Sequence, residues 1–176
     1  MPIYINEDAF ITLTLSAIET STKFEATGLL LGHKTGNAYY VQNAIPYQIA
    51  ERTSDSVYVS PSKQKRIRRI FGNYMKYSII GEFHTHPDGS VKLSEADKNV
   101  IRTNGYELEI VVSISKDDNA SPWHYEKGVL SGSIDKYYIE IGCWKVKDKK
   151  TTKLSIRCPF AVGFDFVPPI KNTKKG

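Results

Sequence analysis

The chain has 176 residues, of which 40% are hydrophobic and 24% charged, with a formal net charge of +5. Those proportions are those of a globular domain with a core of its own. No apolar run approaches the roughly 18 residues that cross a bilayer, which excludes a membrane-spanning helix.

The charge is unevenly placed. Residues 131–176 hold ten Lys or Arg against four Asp or Glu, and residues 1–130 hold fourteen against fifteen. The basic character therefore belongs to the C-terminal segment, where a solvated hairpin and frayed end explain it better than a nucleic-acid contact. The first residues lack a basic region followed by a long apolar core, so no signal peptide is expected, and a cytoplasmic location follows by default.

In chain order, Tyr4 and Ile5 open a strand. Asn6 caps a helix to about residue 23, with Phe10, Leu13, Ala17 and Ile18 at helical spacing. Residues 27–31 form an apolar strand, and residues 38–45 and 56–60 form two more, with a polar loop at 46–55. Pro61 starts a helix, and residues 62–74 carry five cations around Ile67, Ile70 and Phe71, the pattern of a solvated face over an apolar stripe. Residues 77–86 read as a strand ended by Pro87-Asp88-Gly89. Ser94 starts a helix that Gly105 closes. Strands follow at 107–115, 123–130, 139–146 and 152–158, and residues 171–176 are expected to be disordered. Cys143 and Cys158 lie on the last two of these strands. Cys143 faces Cys158 if the turn falls at residues 150–151, and Ser155 if it centres on 149. A disulfide fits only the first register, and two small buried hydrophobes are the expected state.

The run Gly81-Glu82-Phe83-His84-Thr85-His86-Pro87, followed by Ser94 and Asp97, carries the chemistry. Strand side chains alternate faces, so His84 and His86 point the same way with Cα atoms about 6.5 Å apart. Ser94 and Asp97 have the spacing of a helix cap, and the positive end of the helix dipole keeps Asp97 ionised. A short loop brings that helix start back over the strand end. Two imidazoles and a carboxylate then form an open zinc site with a position left for water. Two carboxylates compete for the role of general base. Glu82 shares the histidine face and is favoured by spacing, whereas Glu25 stands before an apolar strand that can run alongside.

The spacing His84-x-His86-Pro87, Ser94 and Asp97 resembles the His-x-His-x7-Ser-x2-Asp signature of the JAMM (MPN-plus, JAB/MPN) zinc metalloprotease family. Upstream, Glu25-Ala26-Thr27-Gly28 and the apolar run to Gly32 resemble that family's Glu-x-x-Gly segment. The resemblance covers about residues 1–130. It implies an α/β fold, a JAMM/MPN-like curved mixed β-sheet flanked by helices; residues 131–176, beyond the resemblance, read as a basic C-terminal extension of the same domain, a β-hairpin plus a disordered tail. It implies one Zn²⁺ held by His84, His86 and Asp97, Glu25 rather than Glu82 as the catalytic base, and Ser94 as donor to the oxyanion. The implied activity is that of an isopeptidase or peptidase cutting after the C-terminal tail of a ubiquitin-like or sulfur-carrier β-grasp protein, with that tail adding to a sheet edge beside the cleft. Two other readings compete. A two-metal phosphoesterase needs further ligands, for which only His33 and His124 remain. A non-catalytic scaffold of the wider MPN fold needs the zinc site to be unused.

Overall fold

A computed structural model describes residues 1–20, 23–48, 51–52, 57–74, 77–147 and 150–163. The tail at 171–176 lies outside them, as do parts of the 46–55 loop and residues 148–149.

Strand β1 (Pro2–Ile5) leads into helix α1 (Glu7–Thr20), and the long strands β2 (Thr27–Thr35) and β3 (Ala38–Pro46) form a hairpin. The short strand β4 (Glu51–Arg52), inside what reads in sequence as a polar loop, pairs with β5 (Val57–Tyr58), which falls in the strand expected at 56–60. Helix α2 (Pro61–Tyr74), strand β6 (Ser78–Pro87), helix α3 (Glu95–Asn104) and strand β7 (Leu108–Lys116) follow. The expected single strand at 123–130 is broken by Lys127 and Gly128, whose φ values of 47° and 81° make a tight turn between β8 (His124–Glu126) and β9 (Val129–Ile134). Strands β10 (Tyr137–Lys147) and β11 (Lys150–Arg157) and the short helix α4 (Pro159–Val162) complete the order.

The sheet is not the curved, helix-flanked one that the family resemblance implies. Its strands run β11-β1-β3-β2-β6-β7-β10, and β10 pairs back onto β11, so seven strands close a barrel. Closure depends on β10 dividing one edge between two partners. Tyr137 to Ile141 pair with β9, and Cys143 to Lys147 pair with β11. Gly142 marks the switch, and a Cβ there would stand 2.7 Å from Cβ of Val91. Strand β11 then lies parallel to β1, with Ile3 beside Ile156. The hairpin at the C-terminus is thus two staves of the barrel rather than an extension. Such closure leaves the barrel strands no unpaired edge.

The hairpin register also differs from both alternatives for the cysteines. Cys143 faces Leu154, and Cys143 and Cys158 are free and buried.

The two faces of the barrel wall have different fates. One large cluster joins Ile3, Val41, Phe83, Ile110, Ile141 and Ile156 from the strands to Ala9, Phe10, Leu13 and Ala17 of α1. Phe83 belongs to it, so its neighbours Glu82 and His84 point to the opposite, outer face. There α2 packs on Leu29, Tyr47 and Val59, and α3 places Ile101 with Val91, Leu93 and Val111. The parallel pair β6 and β7, joined through α3, sets the carboxyl end of β6 against the start of α3. Among the described residues, no helix is long and apolar enough to cross a membrane.

Candidate metal centre

Strand alternation brings Glu82, His84 and His86 to the outer face, and the seven-residue return from Pro87 brings α3 to them. That return is fastened at successive residues. The Asp88 amide donates to the Ile114 carbonyl at 2.8 Å, Ser113 Oγ donates to the Gly89 carbonyl at 3.0 Å, and Trp144 Nε1 donates to the Val91 carbonyl at 2.7 Å. Ser94 caps α3 in a reciprocal box. Its Oγ accepts from the Asp97 amide at 3.1 Å, and its own amide donates to Asp97 Oδ2 at 2.6 Å. A cap of this kind contributes about 1 kcal/mol to the helix. Here it also fixes the carboxylate that faces the histidines.

Ligand atoms of His84, His86 and Asp97 lie within 4.8 Å of one another. Asp97 Oδ1 is 3.7 Å from His84 Nε2, and Asp97 Oδ2 is 3.7 Å from His86 Nε2. The two Nε2 atoms are 2.9 Å apart. The far side of each ring is held. His86 Nδ1 is 2.7 Å from the Ser90 carbonyl oxygen, which only accepts, so that nitrogen carries a proton. His84 Nδ1 lies 2.6 Å from Glu109 Oε1, and Glu109 is buried at 4% exposure. Both rings therefore aim Nε2 at one point, and at that separation a proton or a cation must lie between the two nitrogens. Two imidazole nitrogens and a carboxylate, with their outer atoms already bonded, fit a divalent cation such as zinc.

The electrostatics agree. Burial alone lowers the His84 pKa, but hydrogen bonds and charge from Asp97 and Glu109 outweigh it and raise the value to about 10. Burial works against ionised Asp97, yet the two imidazoles and Ser94 hold it well below the usual carboxylate range. Burial lifts Glu109 above its ordinary value against the pull of His84. At neutral pH the metal-free protein keeps His84 as imidazolium, so a cation must displace that proton. Zinc uptake at pH 7 is expected to release about one proton per ion, and affinity to rise about tenfold per pH unit while His84 remains protonated. Calorimetry in buffers of different ionisation enthalpy reads this directly, and uptake without proton release contradicts the site.

Glu25, His84, His86, Ser94 and Asp97 all line one cleft of about 450 Å³. Glu25 is brought there by a clamp. The Ala26 amide donates to Thr85 Oγ1 at 2.7 Å, and the Thr85 amide returns a bond to the Ala26 carbonyl at 2.9 Å. Thr27 is paired with His84, so continuing that register by two residues sets Glu25 beside His86. Gly28 permits this close packing of β2, because a Cβ there would lie 2.2 Å from the Ile45 carbonyl oxygen and 2.5 Å from the Phe83 ring.

Glu82 is placed differently. It is 6% exposed rather than an open strand carboxylate. Its Oε1 takes a bond from Arg68 Nη2 at 2.8 Å, and its Oε2 takes one from Asn104 Nδ2 at 2.6 Å. Both oxygens are engaged in tying α2 and α3 to β6.

No protein-family model matches the chain, and the comparison with curated proteins gives no match. A solved structure is similar. The solution structure of protein DSY2949 from Desulfitobacterium hafniense superposes with a TM-score of 0.61 at 16% identity, covering 89% of this chain and 92% of that one. The likeness is one of fold.

Among the described residues, His84, His86 and Asp97 form the one such ligand group. His33 stacks on Tyr40, and His124 bonds the Pro122 carbonyl, so neither supplies a second metal position. Two features of the site escape sequence reasoning. The Ser90 contact is a backbone atom and leaves no signal. Glu109 does leave one, as a lone carboxylate inside the apolar run Leu108-Glu109-Ile110-Val111-Val112. Replacing Glu109 with Gln is expected to weaken zinc binding about 10-fold to 100-fold, measured by competition with a chromophoric chelator.

Proposed function

We propose that the chain is a zinc-dependent peptidase or isopeptidase of the JAMM chemical type, acting after the tail of a ubiquitin-like or sulfur-carrier β-grasp protein. The observation that carries the reading is the pair of Nε2 atoms 2.9 Å apart, faced by Asp97, with both Nδ1 atoms already bonded. The motif resemblance supplies the reaction class, and the cleft supplies the room for it.

Zinc held by His84, His86 and Asp97 supplies a Lewis acid, which makes a water more acidic and polarises a carbonyl. Glu25 takes a proton from the attacking water as its oxygen bonds the carbonyl carbon. The same carboxyl gives that proton to the leaving nitrogen as the carbon–nitrogen bond breaks, leaving a carboxylate and an amine. Ser94 Oγ accepts from the Asp97 amide, and its own proton remains to be donated to the carbonyl oxygen as negative charge develops there. Glu82 takes no part in this scheme, because Arg68 and Asn104 occupy its oxygens.

The strands beneath the site, β6 and β7, have both edges paired, so neither offers the tail an edge. The tail lies along the cleft, whose walls include Val57 of the separate β4-β5 sheet, Val59 and Val100. The test is cleavage of β-grasp fusions and isopeptide conjugates with and without a chelator. Chelator-sensitive cleavage at the end of the tail supports the reading. Zinc-loaded protein that cleaves no member of the panel favours a scaffold.

A further inference from the structure

We infer that the exposed face of α2 is a docking surface for a protein partner with an acidic surface, set beside the cleft so that the partner's tail reaches the metal centre. The reach into the cleft rests on the hydrolase reading above; the docking itself does not.

The helix holds Lys63, Lys65, Arg66, Arg68 and Arg69 and no acidic residue. At about 100° per residue, Gln64, Ile67, Arg68 and Phe71 share one side. Ile67 and Phe71 pack against the Leu29, Tyr47 and Val59 cluster, and Arg68 turns in to Glu82. The other side presents Lys63, Lys65, Arg66, Arg69 and Ile70 to solvent.

Local energetics argue against this arrangement. Lys63 and Arg66, Arg66 and Arg69, and Lys65 and Arg69 stand at spacings where like charges repel. Lys63, Lys65 and Arg66 also lie in the first half of the helix, toward the positive end of its dipole. Among the described residues, no ion pair reaches any of the four exposed cations. A helix needing only a solvated outer face is better served by Glu at several of these positions.

Ile70, on the same face, is 49% exposed, and Tyr58, shortly before the helix, is 55% exposed. Cations that steer an approaching partner, with apolar side chains among them to anchor it, suit an acidic protein surface. A phosphate backbone offers nothing to Ile70. The position is also apt. Gln64 of the same helix and Val57 and Val59 before it line the cleft. Arg68 bonds Glu82 of β6 and, at 3.4 Å, the Asn104 carbonyl of α3, the two elements that carry the histidines and Asp97. A partner seated on α2 is thereby held in register with the site.

The test uses the full chain and a fluorescein-labelled peptide of alternating Glu and Leu, read by anisotropy, with oligo-dT as the competing polyanion. The peptide is expected to bind more tightly than oligo-dT, to weaken with salt, and to be insensitive to chelator. Lys63→Glu/Lys65→Glu/Arg66→Glu/Arg69→Glu is expected to lose about tenfold or more in affinity at wild-type zinc content. The neutral set with Gln at the same four positions keeps helix propensity and should lose most of that affinity too. Undiminished peptide binding in both variants, or preference for oligo-dT, overturns the proposal. Retained docking with no hydrolysis of any β-grasp substrate overturns the hydrolase reading alone.

Discussion

Glu25→Gln is expected to lower hydrolysis by about 100-fold to 10,000-fold while zinc content stays at the wild-type level. The substitution preserves shape and removes the proton acceptor. The clamp that positions residue 25 is made by the Ala26 backbone with Thr85, so it survives the change. Single-turnover rates on a cleaved fusion, with zinc measured on the same sample, separate lost chemistry from lost metal. A near-normal rate removes Glu25 as base and returns attention to Glu82. Glu82→Gln is a useful contrast, because Glu82 is buried against Arg68 and Asn104. Breaking a buried charge pair of that kind costs on the order of 3–5 kcal/mol of stability. Its signature is therefore a lowered melting temperature rather than a selective loss of rate.

His84→Ala and Asp97→Asn are expected to lose zinc, each by more than the roughly 100-fold that an outer hydrogen-bond partner contributes. Asn is the informative choice at position 97. Its side-chain oxygen still accepts from the Ser94 amide, so the cap on α3 is kept while the charge facing both Nε2 atoms is gone. Elemental analysis after dialysis reads the result. Full zinc occupancy in either variant removes that residue from the ligand set.

Local features of the site were legible in the sequence because they are set by neighbours along the chain. Period-two alternation put Glu82, His84 and His86 on one face, Ser94 with Asp97 spelled a cap, and Gly105 ended the helix in the left-handed region at a φ of 76°. What could not be read is non-local. Nothing in residues 150–157 announces that they lie parallel to Pro2–Ile5, and that pairing turns the expected curved sheet into a barrel. The cysteine register failed for a smaller reason: Lys147 pairs with Lys150, a register centred earlier in the chain than either alternative allowed. Glu82 and Glu109 show the limit for charged residues. Both sit in apolar strands, but only the packed structure gives one to Arg68 and the other to His84.

The most direct measurement is a crystal structure of the zinc-loaded protein with anomalous data at the zinc edge. The expected result is one strong peak per chain, about 2.0–2.2 Å from His84 Nε2, His86 Nε2 and an Asp97 carboxylate oxygen. A zinc-saturated crystal with its peak elsewhere, or with those three side chains turned away from it, contradicts the account.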